Sequence, residues 1–129
     1  MRYAFILALP LAMIGAQPAA PQAPRVISVE LRNFKFTPRT IVLDHGQAYL
    51  LRLTNSAKGG HDFSAPEFFA ASRIAPADRK AVAGGEIEVH PGMVHEIRLT
   101  APNAPGRYKL RCTHRFHKTL GMTGAIIVR

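Results

Sequence analysis

The sequence predicts an all-β protein with a Greek-key β-sandwich, and three observations support this fold class. First, short segments alternate apolar and polar residues with the period of two that half-buried strands show. In residues 107–112, for example, Tyr108, Leu110 and Cys112 share one face and basic residues share the other. Second, turn sequences such as residues 102–106 separate these segments, as in two packed sheets of short strands. Third, 129 residues suit one domain with a modest core and no disulfide bonds.

The predicted strands follow one another along the chain, with one early interruption. Ile27, Val29 and Leu31 alternate with polar residues, but the apolar set moves to even positions at Phe34 and Phe36. A strand cannot change face in this way without a bulge or a bend. Further strands are predicted at residues 41–43, 49–53, 86–89, 93–99, 107–112 and 123–128, with 86–89 and 93–99 forming a hairpin. The last strand is expected to lie inside its sheet.

Residues 64–85 break the β pattern. Ser64-Ala-Pro66-Glu67 has the form of a capping box with a proline early in the helix, and Phe68-Phe69-Ala-Ala-Ser follows it. We expect a short helix there and another helical turn within residues 75–82.

The N-terminal region is predicted to be an export signal. Residues 1–20 begin with Met1-Arg2, continue with an apolar run too short to span a bilayer, and end in small residues near a cleavage site at 16–20. Residues 21–25 are then a flexible lead-in, and residues 26–129 form the domain. We therefore expect the protein in the periplasm, as a monomer without stable membrane insertion.

The most informative motif lies near the C-terminus, where Cys112, His117 and Met122 follow one another at intervals of five. Soft sulfur suits Cu(I) and imidazole nitrogen suits Cu(II), so a mixed set with a weak thioether serves both oxidation states. Structural zinc sites usually have more thiolates or a closed tetrahedral set. Cys112 is also the only cysteine, which in an exported chain favours a metal-bound or deeply buried thiol. The motif therefore indicates a mononuclear copper site that exchanges electrons.

A blue-copper site needs a second histidine from elsewhere in the chain. His61 is the best candidate, because it follows a strand-like run and a Lys58-Gly59-Gly60 turn and lies close to the apolar Phe63. The alternative for His61 is a histidine in a turn that hydrogen-bonds to the backbone. The alternative for Met122 is a methionine that packs over the end of the core.

Two segments resemble small bacterial cupredoxins of the plastocyanin and azurin type. Residues 33–46 are similar to the opening strands of that family, and residues 106–128 are similar to its closing hairpin. The family's Cys-x4-His-x4-Met loop is matched by Cys112, His117 and Met122, and its upstream histidine by His61. The resemblance implies a cupredoxin-like fold and a type 1 blue-copper centre in which one copper ion is bound by His61, Cys112, His117 and Met122.

Two features depart from the family pattern. His114 adds an imidazole inside the loop, and residues 64–85 form a longer excursion than the shortest members have. We interpret His114 as an exposed residue or one that contacts the ligands, rather than as a ligand, and His45, His90 and His95 as surface residues. An apolar collar around the site is expected from Phe116 with Phe68 or Phe69, with core packing as the equal alternative.

The charges are distributed unevenly. All eight acidic residues lie at or before Glu96, whereas the chain from Ile97 onward contains seven basic residues. Five of these form a predicted basic rim around the motif: Arg107, Lys109, Arg111, Arg115 and Lys118. The rim is either a solvated face or a docking surface for a redox protein with an acidic face. A periplasmic location argues against nucleic acid as a partner.

Among the possible functions, single-electron transfer between redox partners is the leading hypothesis. The alternative is a periplasmic copper chaperone or storage protein. An enzyme would use Cys112 as nucleophile with His114 or His117 as base, but it needs an orienting group and an oxyanion pocket that the sequence does not indicate. We therefore predict no enzymatic activity and no catalytic residue.

Overall fold

A computed structural model describes residues 15–117 and 120–129 of the chain. Most of the predicted signal peptide, residues 1–14, and the Lys118 of the predicted rim lie outside the described residues. Residues 15–24 are exposed and have no regular secondary structure. In the part of the chain that the structure describes, no helix has both the length and the apolar character needed to cross a bilayer.

Ten strands form two five-stranded sheets within residues 15–117 and 120–129. Sheet A has the order β2-β1-β4-β8-β6, and its strands are β1 (Arg25–Arg32), β2 (Lys35–Thr37), β4 (Ala48–Asn55), β6 (Arg73–Ile74) and β8 (Val94–Thr100). Sheet B has the order β3-β10-β9-β5-β7, and its strands are β3 (Thr40–Leu43), β5 (His61–Ser64), β7 (Glu86–Val89), β9 (Gly106–Arg111) and β10 (Thr123–Val128). The predicted all-β sandwich is therefore confirmed, and β10 lies inside its sheet as expected.

The core lies between the two sheets and is made by the alternating apolar residues of the strands. In β4, for example, Tyr49, Leu51 and Leu53 are buried while the residues between them are partly exposed. Phe36 of sheet A contacts Phe63 of sheet B edge to face, with ring centroids 5.9 Å apart. Each fully buried side chain of this size stabilises the fold by about 1.5–3 kcal/mol. This packing fixes the positions of the strand ends at which the candidate ligands lie.

The interruption predicted near Phe34 is a tight hairpin rather than a bulge. Asn33 and Phe34 both have positive φ angles, of 47° and 58°, and β1 pairs antiparallel with β2 directly across them. A two-residue loop with positive φ at both positions matches the right-handed twist of the strands it joins. The reversal carries the apolar set from odd to even positions, and Phe34 is left at the tip of the hairpin.

The predicted hairpin of residues 86–99 is wrong in its pairing, although both strands exist. β7 pairs with β5 in sheet B, and β8 pairs with β4 in sheet A. The turn between them therefore crosses from one sheet to the other. Asn55, at the end of β4, fixes this turn, because its carbonyl accepts from the N–H of Gly92 and its N–H donates to the carbonyl of Met93.

The excursion contains the predicted helix, α1 (Pro66–Ala71), and a 3₁₀-helical segment, Pro76–Gly85, that is interrupted near Val82. The predicted capping box is wrong, because Ala65 is the N-cap and no side chain caps the helix. Phe68 and Phe69 are buried in the core, so they cannot belong to an exposed collar.

Candidate metal centre

The four predicted ligands come together at one end of sheet B. His61 is the first residue of β5, Cys112 directly follows β9, and Met122 directly precedes β10. Since β9 lies between β5 and β10, these strand ends are neighbours. The N–H of Cys112 donates to the carbonyl of Met122 over 3.1 Å and closes the neck of the loop that contains His117. We call residues 112–122 the ligand loop.

Three donor atoms form a small triangle inside this loop. The Nδ1 atoms of His61 and His117 are 3.1 Å apart, and the Cys112 Sγ lies 3.3 Å from the Nδ1 of His117 and 3.9 Å from that of His61. The point equidistant from these atoms lies about 2 Å from each, close to the bond lengths of a metal ion to imidazole nitrogen and thiolate sulfur. The group therefore has the size of a metal site.

Met122 lies at the neck of the loop with its side chain fully buried. Its N–H donates to the carbonyl of His117 over 2.9 Å, which ties the fourth predicted ligand to the third. One thiolate, two imidazoles and one thioether are the donor set of a blue-copper site. The predicted cofactor, one copper ion, therefore fits these residues.

Burial changes the proton affinities of the three donors. Desolvation lowers the pKa of His61 first, and the nearby His117 and His114 lower it further. The pKa of His117 is lowered by desolvation and then by His114. Desolvation raises the pKa of the Cys112 thiol, while backbone N–H groups of Asp62 and His114 oppose this shift. Both imidazoles are thus favoured in the neutral, metal-binding form, whereas the thiol needs a cation to become a thiolate.

Asp62 connects the first ligand to the loop. Its N–H donates to the Cys112 Sγ over 3.4 Å, and its carboxylate accepts from the N–H of Thr113 over 2.8 Å and from the Thr113 hydroxyl. Asp62 is 3% exposed. These bonds fix the orientation of the sulfur and the start of the ligand loop. They could not be predicted from the sequence, because they depend on the pairing of β5 with β9.

Asn55 fixes the segment that leads into His61. Its side-chain amide donates to the carbonyls of Gly59 and Val89, over 2.9 Å and 2.8 Å, and its side-chain oxygen accepts from the N–H of Ala57. The residue is fully buried. It therefore joins the end of β4, the turn before His61 and the end of β7.

His114 lies outside the donor triangle. Its Nε2 lies 2.9 Å and 3.0 Å from the two carboxylate oxygens of Glu88, and its ring stacks on that of His117 with centroids 5.3 Å apart and an interplanar angle of 22°. His114 thus stacks on a predicted ligand while its Nε2 faces Glu88, and its exclusion from the ligand set stays a prediction.

Phe34 contacts the site, although no role there was expected for it from the sequence. Its ring meets the ring of His117 edge to face, with centroids 4.9 Å apart, and it is 41% exposed. Phe116 and Leu120 of the ligand loop are also exposed. We call Phe34, Phe116 and Leu120 the apolar patch. It replaces the collar predicted with Phe68 or Phe69, and the break in alternation at Phe34 was the available sequence indication.

The predicted basic rim is divided by the fold. Arg107, Lys109 and Arg111 alternate with inward residues and are exposed on the outer face of β9, so only Arg111 lies next to the ligand loop. Arg115 lies in the loop itself, with its guanidinium 5.5 Å from the ring centroid of Phe116. A shallow groove of about 320 Å³ runs between these residues. A larger groove, of about 630 Å³, is lined by Arg73 and other residues far from the donor triangle.

Comparisons with known proteins agree with this geometry. The sequence matches the family described as "Cupredoxin-like domain" over residues 5–128. A comparison with curated proteins gives no match. The fold is similar to that of reduced auracyanin from the photosynthetic bacterium Roseiflexus castenholzii, with a TM-score of 0.61 and 22% identity over 84% of this chain and 99% of that chain.

Two further solved structures are similar in fold. Auracyanin B has a TM-score of 0.61 and 17% identity, and the match covers 85% of this chain and 93% of that chain. Auracyanin A, a "blue" copper protein from the green thermophilic photosynthetic bacterium Chloroflexus aurantiacus, has a TM-score of 0.60 and 19% identity over 83% of this chain and 100% of that chain. Because the family match spans nearly the whole sequence and the sandwich agrees with it, the chain belongs to the cupredoxin-like family.

Proposed function

We propose that this protein is a periplasmic electron carrier in which His61, Cys112, His117 and Met122 bind one copper ion. The observation that carries the proposal is the triangle of two imidazole nitrogens and one buried thiol, with edges of 3.1–3.9 Å. The membership of the cupredoxin-like family supports it, as does the similarity in fold to a "blue" copper protein. The N-terminal signal sequence predicted for residues 1–20 supports the periplasmic location.

The chain's own residues hold the donors in one geometry. His61 and Cys112 lie at strand ends, the Cys112–Met122 hydrogen bond closes the ligand loop, and Asp62 fixes the sulfur. A copper ion in this site would alternate between Cu(I) and Cu(II) and carry one electron at a time. Because strand ends and hydrogen bonds hold these groups, little rearrangement of the donors would accompany the change of oxidation state.

Electron exchange is proposed to pass through His117, the half-buried member of the donor triangle. Phe34 of the apolar patch lies beside its ring, and the exposed Phe116 and Leu120 belong to the same ligand loop as His117. These side chains provide apolar surface that a partner can cover without water. Arg115 lies next to the patch, so an acidic redox protein is the partner that this end of the molecule favours. No ion pair of Arg115 is present among residues 15–117 and 120–129.

Two other functions are less well supported. A copper chaperone must release its metal readily, whereas the Cys112 thiol is fully buried and fixed by hydrogen bonds. A cysteine-dependent enzyme needs an accessible thiolate of lowered pKa, whereas burial raises the pKa of Cys112. Both observations favour a carrier that keeps its metal.

The test is to add Cu(II) to the purified mature protein and to record the visible and electron paramagnetic resonance spectra. We expect one copper per chain, an intense thiolate-to-copper band, and reversible reduction. The variant Cys112→Ser removes the only thiolate and should abolish the band. If Cys112→Ser retains the band, or if wild-type protein binds copper without one, the proposed ligand set is wrong. Rapid transfer of copper to a chelator without a reversible redox response would favour the chaperone function instead.

A further inference from the structure

A second group of metal-binding side chains lies beside the ligand loop. Asp62, Glu88 and His114 each present one donor atom, and these three atoms lie within 4.8 Å of one another. The Nε2 of His114 is 2.9 Å from a carboxylate oxygen of Glu88 and 4.0 Å from one of Asp62. Asp62 and Glu88 are opposite each other on paired strands β5 and β7. Sheet register therefore places the two carboxylates side by side, and the ligand loop brings His114 to them.

The charge of Asp62 makes this group unusual. Its side chain is 4% exposed, and its carboxylate accepts hydrogen bonds from the N–H and the hydroxyl of Thr113. These bonds satisfy the oxygens but do not neutralise the charge, and a buried charge is normally paired with a cation or bound to a metal. Within the described ranges, 15–117 and 120–129, no Lys or Arg forms an ion pair with Asp62 or Glu88, and the Nε2 of His114 lies within 4.0 Å of both carboxylates. Two carboxylates thus face one imidazole nitrogen, and a divalent cation among them would balance their charge.

We propose that Asp62, Glu88 and His114 form a second metal site, for a divalent ion such as Zn²⁺. Two carboxylate oxygens and one imidazole nitrogen are ligands that Zn²⁺ accepts, and three protein ligands leave a position for water. Ca²⁺ and Mg²⁺ prefer shells made of oxygen alone, so the imidazole selects against them. Glu88 and His114 are partly exposed, which gives the ion access from solvent.

The site is joined to the donor triangle by two contacts. The N–H of Asp62 donates to the Cys112 Sγ, and the His114 ring stacks on that of His117. A divalent cation at this distance disfavours a further positive charge on copper. Binding of zinc is therefore expected to raise the copper reduction potential. This effect rests on the proposed function, whereas the binding of zinc does not.

The experiment compares Glu88→Gln with a matched control, Glu86→Gln. Glu86 is also exposed on β7 and contacts neither group. Zinc binding to the copper-loaded variants is measured by calorimetry and by elemental analysis after dialysis. We expect one zinc per chain in wild type and in Glu86→Gln, and an affinity lower by about tenfold or more in Glu88→Gln. The reduction potential should rise with zinc in the first two proteins and not in the third.

Each outcome decides the proposal. Equal zinc binding in Glu88→Gln and Glu86→Gln would mean an adventitious ion only, and no binding of zinc by wild type would leave His114 and Glu88 as an ion pair. Either result overturns the second site. A missing thiolate-to-copper band would refute the proposed function alone. Glu88→Gln and Glu86→Gln both leave the donor triangle unchanged, so a difference in zinc affinity between them reports on the second site whether or not copper is bound.

Discussion

The candidate copper ligands differ in how far each is exposed to solvent. Cys112 and Met122 are fully buried and His61 is 3% exposed, whereas His117 is half-buried between the apolar patch and the ring of His114. The three buried residues determine the environment of the bound metal, and His117 is the ligand that solvent or a partner protein can reach. Substitutions at these positions therefore test different properties.

His117→Ala should open a coordination position that solvent can reach. We expect the visible spectrum to change and added imidazole to restore it, because a small molecule can occupy the space of the partly exposed ring. His114→Ala should retain the band, since His114 lies outside the donor triangle. Titration of both variants with imidazole, followed by visible absorption, checks this. The reverse pattern would make His114 the ligand.

Met122 should tune the potential more than it holds the metal. An axial thioether bond is long and weak, so Met122→Leu and Met122→Gln should both still bind copper. We expect a higher reduction potential in the Leu variant and a lower one in the Gln variant, measured by voltammetry. Because Met122 is fully buried, the stability of each metal-free variant is measured as a control. Loss of copper from a folded Leu variant would show that the thioether is a strong ligand.

At the scale of elements, the strands determine which side chains meet at the site. The ligand loop could be predicted from the sequence because Cys112, His117 and Met122 are spaced regularly within one short segment. Glu88 and Phe34 could not be assigned in this way, because their positions depend on the β5–β7 register and on a two-residue hairpin. The wrong β7–β8 hairpin has the same origin, since a turn sequence does not specify which sheet the next strand joins.

Asn55 joins three of these elements, and its loss should be costly. Asn55→Ala removes three hydrogen bonds and leaves the buried carbonyl of Val89 without that donor. We expect the free energy of unfolding of the metal-free protein to fall by about 2–4 kcal/mol in urea denaturation. Ser56→Ala is the control, because its hydroxyl bonds to an exposed carboxylate, and it should change stability by no more than about 0.5 kcal/mol. Equal losses would mean that Asn55 does not hold the turn before His61.

At the scale of the whole molecule, the two ends of the sandwich carry different residues. The donor triangle, the apolar patch and Arg115 lie at one end. Arg73 lies at the other, since it pairs with Thr100 at the far end of β8 from Val94. The net charge of +9 for the full chain attracts acidic partners in general, but charges near the site decide the orientation in which they meet it.

Electron transfer to an acidic acceptor should therefore slow as salt is added. Near physiological ionic strength the Debye length is about 8 Å, so attraction between exposed charges is largely screened. Arg115→Glu should flatten the salt dependence of the rate, measured by stopped-flow absorption, without changing the visible spectrum. Arg73→Glu changes the net charge equally and should have a smaller effect. Identical behaviour of the two variants would mean that Arg115 has no specific part in docking.

The hydrogen bond between Cys112 and Met122 has a consequence for how the protein acquires its metal. It closes residues 112–122 into a ring at one end of an otherwise complete sandwich. Proteins open in local units as well as globally, and opening such a ring exposes far less apolar surface than separating the two sheets. The folded chain can therefore receive copper after its sheets have assembled. Maturation then becomes a step of its own, timed by the supply of metal and not by folding.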